Sequence, residues 1–187
     1  MKIKYPRADA LAAAKVCVGL LKPVTERLVV AGSLRRGKAD VGDVEILYIP
    51  RFETRPNPND MFAGPVQCNL ADEALYQALG GIITTRPNVN GSDVWGAQIK
   101  LARHAASGIP VDFFSTTVES WFNYLACRTG PAESNTRVAA AAQRKGWKWK
   151  PYSPGFLDEH GDVVPVASER DVFEFVGLPY HEPRQRR

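Results

Sequence analysis

Apolar positions along the chain alternate between helical and extended spacing. From Pro6 to Leu21 they recur at helical spacing, with Leu11, Ala14, Val18 and Leu21 on one stripe and Pro23 closing the segment, which predicts an amphipathic helix. Leu28 to Ala31 is a short apolar run ending at Gly32-Ser33, and Val44 to Ile49 places its side chains on alternate faces. Both predict strands, joined by a basic, glycine-containing connector from Leu34 to Gly42. Arg51 to Pro65 is rich in Pro, Asn and polar residues and reads as a loop. Leu70 to Leu79 predicts a helix and Ile82 to Arg86 a strand, while Val94 to Arg103 and Ile109 to Ser115 form a β-hairpin around Ala105 to Gly108. Thr117 to Arg128 is helical again.

Gly130-Pro131 then combines a helix stop with a helix start, so Ala132 to Lys145 predicts a further helix that Gly146 ends. Trp147 to Pro151 and Val163 to Val166 are expected to pair as a small sheet around a turn at Asp158 to Asp162. Ser168 to Val176 predicts a short helix with Ser168 as N-cap and Asp171 three residues on, a variant of the capping box. Strands with helices followed mostly by helices indicate an α+β fold. The order suggests one unit at residues 1–116 and a smaller helical/β unit at 117–187. No internal repeat or low-complexity tract interrupts either.

Composition narrows the class. Hydrophobic residues at 44 % and charged residues at 24 % of 187 positions match an ordinary globular chain, against disordered and fibrous classes. No run approaches the roughly 18 apolar residues of a spanning helix, so no membrane partner is expected. The basic stretch Met1 to Arg7 leads into an Ala-rich pattern broken by Lys15 rather than a signal h-region, so export is not expected. An intracellular protein, cytoplasmic or nucleoid-associated, is the expectation. Cys17, Cys68 and Cys127 are odd in number and far apart, which argues against a disulfide framework. His104, His160 and His181 lack zinc-ligand spacing. A net charge of +4 leans towards an anionic partner.

The chemistry concentrates between Ala31 and Ile46. Asp43 and Glu45, two apart on a strand, point to one face while Val44 and Ile46 point to the other. Two neighbouring carboxylates on a buried sheet repel, and a divalent cation such as Mg²⁺ or Mn²⁺ removes that cost. Upstream, Gly32 permits close backbone approach, Ser33 starts a short helix whose free N–H groups favour an anion, and Arg36 adds a fork donor for phosphate oxygens. Together these describe a triphosphate with metal ions between it and the carboxylates.

Gly32-Ser33-Leu34-Arg35-Arg36-Gly37 followed by Gly42-Asp43-Val44-Glu45-Ile46-Leu47 resembles the signature of the nucleotidyltransferase superfamily, and specifically of family X DNA polymerases of the polymerase beta type. The family's third catalytic carboxylate sits on a neighbouring strand between apolar residues, and Ile109-Pro110-Val111-Asp112-Phe113-Phe114 matches it. Thr129-Gly130, then Asn135 and Arg137, resemble the thumb motif, whose Asn lies against the minor-groove edge of the nascent pair. Gly146-Trp147 to Tyr152, Pro165 to Glu174, and Val176-Gly177-Leu178-Pro179-Tyr180 resemble the family's C-terminal end. The resemblance covers roughly residues 2–50 and 97–187. It implies a nucleotidyltransferase palm, a mixed sheet with helices, at residues 1–116 and a thumb at 117–187. It further implies a monomeric, template-directed polymerase that adds dNTPs to the primer 3′-hydroxyl of gapped DNA in repair. Asp43, Glu45 and Asp112 would be catalytic ligands of two Mg²⁺ ions, and Gly32, Ser33, Arg36, Thr129, Gly130 and Asn135 would bind nucleotide.

Several positions depart from the pattern. Glu45 stands where the polymerases usually carry Asp, and Cys127-Arg128 where they carry an aromatic pair. Phe114 and Pro151 replace an Arg and an acid that pair when such enzymes close. Because the match starts near Met1, neither the lyase domain nor helix-hairpin-helix DNA grips are expected, so DNA affinity must come from palm and thumb. Arg137, Arg144, Lys145, Lys148 and Lys150 supply five cations and no acid in fourteen residues, interleaved with Trp147 and Trp149, which alternate so as to suit a core. Lys4 matches a basic position near the triphosphate, and Arg184, Arg186 and Arg187 are expected to form a disordered tail. A template-independent nucleotidyltransferase acting on nucleic-acid ends and a non-catalytic DNA-binding module remain as alternatives.

Overall fold

The structure is a computed structural model that describes residues 3–57, 62 and 64–186. The chain enters through β1 (Tyr5–Pro6) into α1 (Arg7–Leu21), and β2 (Thr25–Val30) leads to the single helical turn α2 (Gly32–Arg35). β3 (Asp40–Val41), β4 (Val44–Pro50), β5 (Phe52–Arg55) and β6 (Val66–Asn69) follow, then α3 (Leu70–Gln77), β7 (Ile83–Thr85), β8 (Ile99–His104) and β9 (Pro110–Ser115). α4 (Trp121–Thr129) and α5 (Ala132–Arg144) precede β10 (Lys148–Trp149), β11 (Gly155–Leu157), β12 (Val163–Pro165) and α6 (Asp171–Glu174). The fold is α+β, as the element order implies.

The main sheet has five strands in the order β2-β4-β9-β8-β7, antiparallel except between β4 and β9. β4 is central, and the alternation of its side chains builds two cores. Val44, Ile46 and Tyr48 pack with Ala10, Ala13, Ala14, Cys17 and Leu21 of α1. Leu47 and Ile49 pack on the opposite face with Trp121, Tyr124 and Leu125 of α4. The small residues of α1 let the helix lie close on the sheet, whereas Leu11, expected on the packed stripe, is 42 % exposed. Odd-numbered β4 positions therefore face α4, and Glu45 is one of them.

A third core belongs to the C-terminal unit, where Ala126 of α4 meets Val138 and Ala142 of α5, Phe156, Val166, Val172 and Phe173. Trp147 and Trp149 pack against this cluster, and their indole N–H groups donate to Glu159 and Asn123. Ser168 and Asp171 exchange the reciprocal hydrogen bonds of the expected cap, Asp171 accepting from the Ser168 N–H and Ser168 Oγ from the Asp171 N–H.

Three expectations are corrected. The expected loop Arg51 to Pro65 contains β5, which pairs antiparallel with β6 in an exposed two-stranded ribbon. The ribbon is tied by Arg55 to Glu53 and Glu73, so polarity there marks solvent exposure rather than irregular backbone; residues 58–61 and 63 of that loop lie outside the described residues. Trp147 to Pro151 does not pair with Val163 to Val166: β11 intervenes, in the order β10-β11-β12. A Cβ at Gly155 would fall 2.0 Å from the Val164 carbonyl oxygen, so only glycine admits this close crossing. Arg186 is not part of a free tail but is 3 % exposed, packed on Phe173 and Tyr180; Arg187 lies outside the described residues. Among the described residues no helix is long and apolar enough to cross a membrane.

Candidate nucleotide and metal site

β4 begins at Val44, so Asp43 immediately precedes it and Glu45 is its second residue. The parallel pairing of β4 with β9 places Glu45 opposite Asp112. The helical turn α2 is fastened to the same point, because the Ala31 N–H donates to the Glu45 carbonyl at 2.8 Å. Gly32 has φ +61°, and a Cβ there would fall 2.1 Å from Glu45 Oε2. Glycine at this position is therefore required twice, by backbone conformation and by the carboxylate lying on it.

A cleft of about 380 Å³ opens between α2, the start of β4 and the α4–α5 junction. Ser33, Arg36, Asp43, Glu45, Gly130 and Asn135 line it, together with Lys4, Arg128 and Tyr152. Ser33 Oγ and Arg36 Nε are buried beside it without a hydrogen-bond partner, a cost that a polar partner would remove. Arg36 Nη1 donates to the Thr129 carbonyl, and Asn135 Nδ2 to the Cys127 carbonyl at 2.9 Å. Gly32 and Thr129 are not at the cleft surface. Thr129 is fully buried, and its hydroxyl accepts from Arg35 Nη1, so it ties the turn to the end of α4. Asp112 is not among the residues that line the cleft either; it lies beside Glu45, on the neighbouring strand of the sheet.

Two guanidinium groups meet the acids. Arg86 Nη2 donates to Asp112 Oδ1 at 2.5 Å. Arg128 approaches Glu45 Oε1 at 3.6 Å, donates to the Tyr152 hydroxyl and stacks on Phe114 with its carbon 4.0 Å from the ring centre. Burial and then the charge of Asp43 push the Glu45 carboxyl up to about 7, with Asp112 adding and Arg128 and Arg36 opposing. Asp112 is also raised, by burial first, against the pull of the Arg86 hydrogen bond and charge. Among the described residues no three acids, histidines or cysteines stand as a ready metal-ligand group. The donor chemistry is nonetheless that of a hard divalent cation, since all three side chains offer carboxylate oxygens and their charges are mutually coupled.

The cations expected on DNA are dispersed. Arg137, Arg144, Lys145 and Lys148 are exposed and Lys150 is half-buried. Lys145 is already engaged, donating to the Phe175 carbonyl at 2.7 Å and lying 3.7 Å from the Trp147 ring centre. Sequence reasoning gave no role to Arg86, Arg128 or Tyr152. Arg86 has no local signal at all, since only strand pairing brings the residue after β7 to β9. Arg128 was visible as a cation beside the Thr129-Gly130 turn.

A family model described as DNA polymerase beta thumb matches residues 124–187. DNA polymerase lambda of Rattus norvegicus is 26 % identical over 169 residues, which cover 84 % of this chain and 28 % of the relative. The chain thus spans little more than a quarter of that relative's length. A thumb match at one end and a longer alignment at 26 % identity support a family X polymerase-like protein.

Proposed function

We propose that the chain is a template-directed DNA polymerase that adds dNTPs to a primer 3′-hydroxyl and fills short gaps in DNA. The observation that carries this reading is the cleft itself, where unpartnered Ser33 Oγ and Arg36 Nε share one wall with Asp43 and Glu45. Anion donors and carboxylates that face one small space suit a triphosphate better than any neutral ligand.

In this mechanism Ser33 and Arg36 hold the triphosphate, and Lys4 adds positive charge at the rim. Asn135 and Gly130 border the base and sugar at the start of α5. Asp43, Glu45 and Asp112 would hold two Mg²⁺ ions, or Mn²⁺, which when bound supply Lewis-acid activation and charge neutralisation. The primer 3′-hydroxyl, oriented at the Asp112 side, gives its proton to a site carboxylate or to solvent as its oxygen attacks the α-phosphorus; the bond from that phosphorus to the bridging oxygen of the β-phosphate breaks and pyrophosphate leaves. Lys148 and Lys150 would add sequence-independent phosphate contacts.

Primer extension on gapped, nicked and single-stranded DNA, with each dNTP and with Mg²⁺ or Mn²⁺, tests the reading. Incorporation on gapped duplex that follows the template base is expected, and Asp43→Ala and Asp112→Ala should stay folded and lose it. Extension of single strands without template preference would transfer the assignment to end addition. A folded Asp112→Ala variant with near-normal incorporation would sink the mechanism.

A further inference from the structure

The proposed mechanism gives no part to Arg86, yet this residue holds one of its carboxylates. Arg86 Nη2 donates to Asp112 Oδ1 at 2.5 Å, and the two side chains are 19 % and 14 % exposed. The Arg86 N–H donates to the Leu101 carbonyl at 3.0 Å, Leu101 pairs with Asp112, and Asp112 pairs with Glu45. The four residues form one row across the sheet, and side chains in such a row point to the same face. Neighbouring strands lie about 4.8 Å apart, so the Arg86 backbone stands about 10 Å from that of Asp112 and its side chain spans β8 to reach the acid.

Stability alone is a weak reason for this pair. Taking two charges out of water costs about as much as their attraction returns, so a largely buried ion pair adds little to a fold. The guanidinium is also incompletely satisfied. Among the described residues its Nε is buried with no hydrogen-bond partner, and Nη1 reaches only the Pro87 carbonyl, at 3.5 Å. Arg86 is therefore held at Asp112 although part of its own hydrogen bonding is lost.

The contact does supply orientation. The last torsion of an aspartate is soft and roughly two-fold, so a carboxylate without a partner samples a wide range of planes. Among the described residues Asp112 takes its side-chain hydrogen bond from Arg86 alone. Fixing Oδ1 fixes the plane of the group, and with it Oδ2, the oxygen left to act on a reacting atom. We infer that Arg86 is a positioning residue, which sets the plane of the Asp112 carboxylate against the primer 3′-hydroxyl without touching substrate itself. The inference rests on the polymerase reading, in which Asp112 stands on the side of that hydroxyl.

Single-turnover incorporation on gapped, primed DNA separates this role from a structural one. Misplacement of a reacting group by about 1 Å can cost about a hundredfold in rate. In Arg86→Gln the maximal rate should fall at least about tenfold, while the half-saturating dNTP concentration stays within about twofold, because Ser33 and Arg36 hold the triphosphate. Arg86→Lys, which keeps the charge without the planar fork, should lie between Arg86→Gln and the parent. Calorimetry with Mn²⁺ alone, without DNA, gives a readout independent of turnover. Arg86→Gln should bind the ion at least as tightly as the parent, since a like charge beside the carboxylates is gone. A parental maximal rate in Arg86→Gln overturns the inference, and so does a loss confined to the half-saturating concentration. Weakened Mn²⁺ binding in parallel with the rate means collapse of the site and also overturns it. If Arg86→Gln does not fold, Arg86→Lys decides: a parental rate there shows that charge alone suffices and overturns positioning. No incorporation by the parent sinks the polymerase reading and this inference with it, so the parent control tells the two failures apart.

Discussion

Gly32 is the most exacting position of the candidate site, and Gly32→Ala separates its two demands. The backbone sits at φ +61°, where an alanine costs about 1–2 kcal/mol relative to glycine. The new methyl would also fall 2.1 Å from Glu45 Oε2. That atom ends a flexible side chain, so relief is cheap in energy: the carboxylate rotates away rather than the backbone moving. The displacement still matters chemically, because the same carboxylate lines the cleft beside Asp43. Urea denaturation should therefore show a loss of about 2 kcal/mol, and calorimetry a fall of at least about tenfold in Mg²⁺-dependent dNTP affinity. In a Glu45→Ala background the methyl meets no carboxylate, and the stability cost of Gly32→Ala should drop to the backbone strain alone. Gly32→Ala with stability within about 0.5 kcal/mol of the parent, and unchanged nucleotide affinity, would refute both halves of the argument.

Other expectations follow from the same geometry. The folded Glu45 pKa of about 7 lies above its ordinary value of 4.5, so the folded state binds the proton more tightly. Metal-free stability should therefore fall as pH rises from about 4.5 to about 7, by up to about 3 kcal/mol, and Glu45→Gln should flatten that slope; parallel pH–stability curves for the two proteins would contradict it. Glu169→Gln leaves Arg35 and Arg186 without their shared acid and should cost about 3 kcal/mol by urea denaturation, a loss under about 1 kcal/mol being inconsistent with the buried contacts. A Lys148→Glu/Lys150→Glu double variant should bind gapped DNA more weakly and with a shallower salt dependence; affinity equal to the parent at moderate salt removes these lysines from the interface.

The parts of the fold that could be read from the sequence are those in which local pattern and tertiary role coincide. β4 alternates because both of its faces are packed, α1 ends where Pro23 follows, and the Ser168–Asp171 cap is local by nature. The ribbon β5–β6 was hidden because its strands are polar and exposed, and β11 because three residues around a glycine carry almost no period. At the site, Ser33, Arg36, Asp43 and Glu45 could be found together because they fall within fourteen residues of one another. Arg86 at Asp112 could not, since strand pairing alone brings β7 and β9 near each other through β8. Arg186 was misjudged for a related reason: a basic chain end looks solvated until Phe173, Tyr180 and Glu169 are seen to enclose it.

The two arginines at the acids also explain how this sheet tolerates its carboxylates. Asp43 and Asp112 both push the Glu45 carboxyl up, and burial adds to them, so three ionised acids alone would disfavour the folded state. Arg86 and Arg128 answer two of the three charges from within the protein, one by a direct hydrogen bond and one at 3.6 Å across the face of Phe114. Burial, the largest cause, and then the charge of Asp43 outweigh Arg128 and Arg36, which is why Glu45 remains at about 7. Adding cationic charge at the cleft lowers that value, and any group that does so gains affinity as the Glu45 proton leaves. Divalent-cation binding should therefore release protons between pH 6 and 7 and strengthen as pH rises through that interval, a dependence that Glu45→Gln removes.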